Sequence, residues 1–429
     1  MPPGTSRGRQ AGLPALIAVA GLLAGCTALT GARPGPTPAA RSPASASPVA
    51  APLYSLPAPP ASAAGGTSAA LHWGTFFGTT GGLQDTLTAP VAVTLPGIVA
   101  QVGSSNSTQY ALLTNGSLYA WGLGNVGQLG DGSTKNSFST PVRVQFPAGV
   151  KIAWIPTDAM PYDTGLAVDT TGHAWGWGEN GYGDLCLGTS TAHLIPVRLP
   201  FGLISAVTGA SNHALFDSGG TLYACGQNLD GDLGDGIAAG TTRPVRVTGL
   251  PGYAVTALVA SFANSGALLA NGQYYDWGYN AAGQLGDGQV GPSSDVPVPV
   301  TLPRPVRQVA LGGSLWNNGQ TLVVLSNGAV WAWGNDEFCQ LGTGVFGEQA
   351  HPVRVYPPAG VSYQSIATGS ATAYAISTAG SVYAWGVSHV GQVGNGGTQT
   401  VCTPVRIASH AAQISSTADD AVISVGARS

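Results

Sequence analysis

An all-β fold, a seven-bladed β-propeller, is what the sequence predicts, and three observations predict it. A dipeptide recurs seven times, each period divides into four short apolar runs, and two incomplete units at the ends add up to one whole unit. The dipeptides are Trp73-Gly74, Trp121-Gly122, Trp177-Gly178, Cys225-Gly226, Trp277-Gly278, Trp333-Gly334 and Trp385-Gly386, at intervals of 48, 56, 48, 52, 56 and 52 residues. A period near fifty residues belongs to arrays, solenoids and propellers.

The interior of one period selects among these. In the second unit the apolar runs are Ile98 to Val102, Tyr110 to Thr114, Leu118 to Trp121 and Pro141 to Val144, separated by Gly, Ser, Asn and Pro turns. The dipeptide ends the third run and opens a Gly-rich loop, Gly127-Gln128-Leu129-Gly130-Asp131-Gly132. No segment carries a sustained 3.6-residue apolar period, so helices are few or absent. Four strands per unit and seven units fit small twisted sheets packed face to face around a channel.

The ends of the repeat region are complementary. The first unit begins only at Ala69-Ala70-Leu71-His72-Trp73-Gly74, without the two strands that precede this segment elsewhere. After Pro404-Val405-Arg406-Ile407 the last unit supplies Ala412 to Ser415 and Ala421 to Val425, then no new Trp-Gly. Joining the fragments makes one four-stranded blade and removes exposed sheet edges. Leu71 to Trp73 is therefore predicted to pair with Val422 to Val425.

Residues 1–25 read as a secretory signal: Arg7 and Arg9 precede a mostly apolar stretch, Ala11 to Leu23, too short to span a bilayer. The stretch ends in Leu23-Ala24-Gly25-Cys26, which resembles a bacterial lipoprotein cleavage box, with the Cys26 thiol as the lipidated group. Residues 26–66 form a Pro/Ala/Ser-rich tether whose composition cannot build a core. At about 3.1 Å per residue its reach is on the order of 100 Å. The expected location is the extracytoplasmic face of the bacterial membrane, with the lipid on Cys26 as the only membrane attachment and residues 67–429 as the propeller.

The unit resembles the repeat of the regulator-of-chromosome-condensation family, RCC1, in which a Tyr-Ala-Trp-Gly strand is followed by Gly-Gln-Leu-Gly. The resemblance covers roughly residues 67 to 429 and rests on Tyr119-Ala120-Trp121-Gly122, Tyr223-Ala224-Cys225-Gly226 and Tyr383-Ala384-Trp385-Gly386, with Gly-Gln-Leu-Gly intact at Gly127 and Gly283. Departures are Cys225 for Trp, Cys339 for the first Gly, Cys186 for the last Gly, and His213 alone where the family often has a His after the first turn. The resemblance implies a propeller of seven blades. The wedge-like insertion used by the family for nucleotide exchange is not evident here.

Charge limits the partners. All 19 acidic residues but only 11 of the 15 basic ones follow residue 66, so the propeller carries −8. Nucleic-acid binding, which draws on Lys and Arg neutralising phosphates, is excluded on this balance. Arg143, Arg198, Arg246, Arg354 and Arg406, in Pro-Val-Arg segments, read as guards of outermost strands. Asp131, Asp235 and Asp287 read as turn-stabilising residues, since one carboxylate per loop falls short of a calcium site. Cys186, Cys225, Cys339 and Cys402 leave three complete pairings open; pairing across the ring looks awkward, and Cys225 reads as a small buried apolar residue. No His stands near a Cys at zinc-ligand spacing, and no catalytic motif is present, so no metal, no cofactor and no enzymatic activity are expected.

The expected function is a binding scaffold, because loops on a closed ring vary without disturbing the packed strands. With strands running outward in chain order, the turns after first strands and the loops after Trp-Gly share one face. That face carries Ser104 to Ser107, Asp158 to Tyr162, Ser211 to His213, Phe262 to Asn264, Leu315 to Asn318, Ser370 to Thr372 and Ala418 to Asp420. Met160, Tyr162, His213, Phe262, Trp316 and Asn317 are the binding candidates, the large side chains having the rigid surfaces that dominate hot spots. A monomer binding another extracytoplasmic protein is expected. Alternatives are a cell-wall glycan, an extracellular enzyme such as a β-lactamase inhibited by the propeller, and an enzymatic site at the channel mouth.

Overall fold

Seven four-stranded antiparallel sheets form the ring, and every regular element among the described residues is a strand. The computed structural model describes residues 70–77, 83–106, 108–157, 160, 163–210, 212–314, 317–417 and 420–425. The second blade, 99–143, shows the plan: Val99–Ser105, Thr108–Leu113, Leu118–Gly122 and Ser137–Arg143, hydrogen-bonded in chain order. The third to seventh blades occupy 152–198, 204–246, 255–299, 306–355 and 363–408. The outer strand of the second blade starts earlier than the sequence suggested, at Ser137, because a register shift between Ala120 and Gly122 lets Ser137 reach Gly122 past the Pro141 segment.

The first blade is shared by the two ends. Leu83–Val93 pairs with Ala70–Phe77, which pairs with Asp420–Val425, which pairs with Ala411–Thr417. Leu71 faces Ile423, His72 faces Val422 and Trp73 faces Ala421, so the expected closure is present, its register ending at Ala70 against Ser424. Such closure gives the composite blade the same four-stranded sheet as the other six.

First strands line the channel, and each carries a one-residue bulge near its start, for example between Val99 and Gln101 and between Val306 and Gln308. Bulges bend the strand and increase its twist. At that end the channel widens into a cavity of about 960 Å³. Glutamines bridge neighbouring blades there: Ile155 N donates to Gln101 Oε1 (3.0 Å), and Gln308 both donates to Ile366 O (3.0 Å) and accepts from Ile366 N (3.2 Å). Arg307 is the one charged side chain among the described lining residues, and it donates to Gln364 O (3.1 Å).

Blades are joined by the recurring dipeptide. The indole Nε1 of Trp177 donates to Gln128 O of the preceding blade at 2.9 Å, and Trp277, Trp333, Trp385 and Trp73 donate likewise to Asp232, Gln284, Gln340 and Gln392 at 2.8–2.9 Å. Trp121, which follows the composite blade, donates to His72 Nδ1 instead (3.3 Å). All six indoles are fully buried. Each of the five that donates to a loop carbonyl lies against the last glycine of the preceding blade's segment equivalent to Gly127-Gln128-Leu129-Gly130. At Gly234 the backbone is left-handed (φ 65°), and a Cβ would stand 2.7 Å from Trp277 Nε1. Both the conformation and the contact demand glycine.

The cysteines occupy the same joints: they pair between neighbouring blades and not across the ring, and Cys225, buried as expected, is bonded to a second cysteine. Cys225 stands in the indole position of the fourth blade and Cys186 in the glycine position of the third (φ 59°), and the two form a disulfide. Cys225 Sγ also approaches Asp184 O at 3.3 Å, the carbonyl an indole would use. The second disulfide joins Cys339, at the first glycine position of the sixth blade, to Cys402 in the outer strand of the seventh, with Cα atoms 4.7 Å apart. At the other first-glycine positions a Cβ would meet the next blade's outer strand at under 3 Å, as Gly127 would meet Leu194 and Gly231 would meet Asp295. Neighbouring blades come close enough at both positions for a disulfide to replace a glycine contact.

Replacing Gly234 by Ala adds left-handed strain of about 1–2 kcal/mol and overpacking of about 1–3 kcal/mol. Urea unfolding is expected to show a loss of about 2–5 kcal/mol from these two terms. Gly219, also left-handed (φ 63°), has open space around a Cβ, so Gly219→Ala is expected to lose only the strain.

Candidate functional site

Alternation of strand direction puts the turns between first and second strands and the loops between third and fourth strands at the same end of every blade. Hydrogen bonds tie the two sets together. Thr108 Oγ1 donates to Leu123 O (2.9 Å), Thr164 Oγ1 to Glu179 O (2.8 Å), Asn264 Nδ2 to Tyr279 O (2.7 Å) and Thr372 Oγ1 to Val387 O (3.0 Å). This loop face is the one the sequence singles out.

The described residues that flank its inner turns, however, are mostly buried. Ser104 and Ser415 join their hydroxyls at 3.0 Å across two blades, and Ser104, Thr108, His213, Asn264 and Thr372 are all buried. Met160, 1% exposed, sits in the core between the second and third blades with Tyr110, Ile155 and Trp177, so it is a packing residue and not a contact surface. His213, also 1% exposed, shares a hydrogen with Ser265 Oγ at 2.8 Å, and burial pushes its pKa down to about 4, leaving it a neutral joint between blades. Phe262 is half-buried. Asn317 starts a strand, Asn317–Leu325. Its side chain, like Tyr162, Trp316 and Cys26, lies outside the described residues. Among the described candidates, Met160 and His213 are buried in separate joints and only Phe262 is partly exposed.

The outer loops are built on a recurring knot. An amide Oδ1 accepts the backbone N–H five residues on, Asn180 from Leu185 (3.0 Å), Asn228 from Leu233 (2.9 Å) and Asn280 from Leu285 (3.1 Å), and Asp336 does the same for Leu341 (2.9 Å). The amide nitrogens of Asn228 and Asn280 hold the carbonyls of Ile237 and Gln289. Asp131, Asp235 and Asp287 accept from the N–H two residues on at 2.9–3.1 Å, the turn role expected of them. Each loop also donates to the next blade's outer strand, as Gly236 N does to Asp295 O (2.9 Å) and Gly288 N to Ala350 O (3.0 Å).

On three consecutive blades these fixed loops expose large apolar side chains one or two residues past the glycines Gly236, Gly288 and Gly344. Ile237 of the fourth blade is 60% exposed, Val290 of the fifth 57%, and Val345 and Phe346 of the sixth 60% and 65%, with Leu229 of the fourth at 75%. The equivalent segments elsewhere are polar: Ser133-Thr134-Lys135, Thr189-Ser190-Thr191 and Gly397-Thr398-Gln399. Single exposed apolar residues are ordinary; a run of them in the same loop of three consecutive blades is not. Aligning the seven units and comparing the residues after Gly-Asp-Gly is the signal that finds this arc in the sequence.

Beneath the loops lie buried carboxylates. Burial pushes the pKa of Asp184 and of Asp232 up to about 7, helped in each case by a neighbouring carboxylate, Glu179 and Asp230 respectively. Both stand where Gln128, Gln284 and Gln340 fold an amide back onto their own loop, accepting from Val126, Ala282 and Phe338. Burial likewise raises Asp163 to about 6 and Asp336 to about 7. A carboxyl with a raised folded-state pKa holds its proton better folded than unfolded, so stability falls as pH rises from the ordinary carboxyl range, about 4, through 7. The urea midpoint is expected to be higher at pH 5.5 than at pH 8, and the paired change Asp184→Asn, Asp232→Asn is expected to shrink that difference.

The model for the regulator of chromosome condensation (RCC1) repeat matches residues 115–156, 271–315, 327–376 and 379–425. The ultraviolet-B receptor UVR8 of Arabidopsis thaliana is 29% identical over 287 residues, covering 65% of this chain and 62% of the receptor. Human E3 ubiquitin-protein ligase HERC2 is 27% identical over 318 residues, covering 72% of this chain and 6% of the ligase. The chain thus spans less than two thirds of either relative. Among solved structures, human WBSCR16 superposes with a TM-score of 0.73 at 19% identity, over 84% of this chain and 99% of that one. Prp20p from Saccharomyces cerevisiae, described with its binding to Gsp1p and histones, gives 0.71 at 19% identity, over 85% and 92%. The chain thus carries RCC1 repeats in four places, and its seven blades have the fold of these propellers.

Proposed function

We propose that this propeller is a protein-binding scaffold, held outside the cytoplasm by a lipid on Cys26 and displayed on the tether of residues 27–66, with no catalysis of its own. The observation that carries the reading is the arc Leu229, Ile237, Val290, Val345 and Phe346, apolar side chains held out to solvent on loops that are themselves fixed. Presenting apolar area without ordering a loop on binding avoids the entropic cost that weakens flexible surfaces. The arc is mostly aliphatic, whereas a sugar ring is met by flat aromatic faces, so a protein fits it better than a wall glycan. Prp20p, of the same fold, is described with protein partners, in keeping with a scaffold role. The two disulfides support an oxidising compartment, since cytosolic thiols are kept reduced.

Two measurements test the reading. The full-length protein, immobilised and exposed to the solubilised envelope of the organism that makes it, is expected to retain a protein that the triple variant Ile237→Ser, Val290→Ser, Phe346→Ser does not; retention of polysaccharide alone would overturn the scaffold reading. In the same organism Cys26→Ser is expected to move the protein from the membrane fraction to the soluble extracytoplasmic fraction, and an unchanged membrane fraction would overturn the lipid anchor.

A further inference from the structure

The apolar arc does not stand in neutral surroundings. In the loops that carry it, 227–240, 279–293 and 335–348, there is no Lys or Arg. The same loops expose or half-expose Asp230, Asp235, Asp287, Glu337 and Glu348, and Asp295 opens the next outer strand beside Gly236. Carboxylates and apolar groups alternate along the chain: Leu229 beside Asp230, Ile237 two residues after Asp235, Val290 three after Asp287, Phe346 two before Glu348. Basic side chains from neighbouring outer strands lie at its joints. Arg243 packs over Gly188 at the third blade's end, and His351 lies over Gly288 between the fifth and sixth blades.

We propose that the arc formed by Leu229, Ile237, Val290, Val345 and Phe346 with Asp235, Asp287 and Glu348 is a docking surface for a protein segment in which Lys or Arg residues flank an apolar strip. The inference rests on the scaffold reading and adds the chemistry of its partner. Complementary charge raises the rate of encounter and excludes acidic competitors, while burial of the apolar groups slows dissociation. Ile237 and Gln289 take hydrogen bonds from Asn228 and Asn280 through their carbonyls, and from their own amides to Asp235 and Asp287, so the surface keeps its shape before a partner arrives. Asp235 and Asp287 thus each serve twice, one oxygen closing the turn and the carboxylate supplying charge. A surface of this kind, being both acidic and apolar, repels acidic proteins of similar hydrophobicity, which gives it selectivity as well as affinity.

The test uses full-length protein and a fluorescein-labelled amphipathic helical peptide of Lys and Leu, with the same peptide carrying Glu for Lys as its opposite. Fluorescence anisotropy is expected to show saturable binding of the Lys peptide at least about tenfold tighter than the Glu peptide, a difference of about 1.4 kcal/mol. The amide triple Asp235→Asn, Asp287→Asn, Glu348→Gln keeps the turn acceptors and is expected to weaken binding about tenfold and to flatten its salt dependence. The apolar triple Ile237→Ser, Val290→Ser, Phe346→Ser is expected to weaken it by a similar factor with the salt dependence kept. Val126→Ser, on the second blade, is the control and is expected to change neither. Equal binding of the two peptides, or an affinity that either triple leaves within twofold, overturns the proposal; so does a dimer in sedimentation that the apolar triple dissolves, because the arc would then be covered by a second copy. An envelope protein whose retention needs the apolar residues and ignores the amide triple would leave the scaffold reading standing and overturn this one alone.

Discussion

The contact between a tryptophan and the glycine of the preceding blade is the constraint on which the rest of the molecule depends. A blade of four short strands buries too little to stand alone, and its stability comes from the faces it shares with its neighbours. At most joints the indole fills the space above the preceding loop, donates one hydrogen bond to that loop, and tolerates nothing larger than hydrogen at the last glycine. Removing a buried aromatic side chain of this kind costs about 3–5 kcal/mol. Because the indole grips the loop as well as the sheet, the same contact that holds the ring together fixes the loops that reach the surface.

The cysteines show how strict that contact is. A Trp-to-Cys change leaves a large void, and a Gly-to-Cys change at a left-handed position brings a clash, yet Cys186 and Cys225 together satisfy both because a disulfide spans the gap the indole filled. Cys339 and Cys402 make the equivalent exchange at the first glycine, where the loop meets the outer strand of the next blade. Three of the four cysteines that read as departures from the repeat thus stand at its contact positions, where they replace one blade-to-blade attachment by another. This exchange is available only where thiols oxidise.

The period, the strand count and the shared blade were legible because they depend on local pattern: Trp-Gly spacing, alternation broken by turns, and missing strands at both ends. The pairing of the cysteines was not, because it depends on which positions of one unit touch which positions of the next, and only the ring shows that the last glycine of the third blade meets the indole position of the fourth. Two of the binding candidates were misplaced for a physical reason. Met160 and His213 flank turns, and turns are ordinarily at the surface, but here Met160 packs in the core between two blades and His213 is buried against Ser265 of the next blade. The arc around Ile237 and Phe346 was hidden by the opposite assumption, that residues in a Gly-rich loop are there to make the turn.

The central claim is that the disulfide at the third joint replaces a glycine–tryptophan contact. The direct measurement is a cycle of Cys186→Gly, Cys225→Trp and the two together, followed by urea unfolding. The account predicts that each single change destabilises the propeller, and that the double variant regains most of the loss because the repeat's own contact has been restored. Losses that simply add, leaving the double variant less stable than either single one, would contradict it.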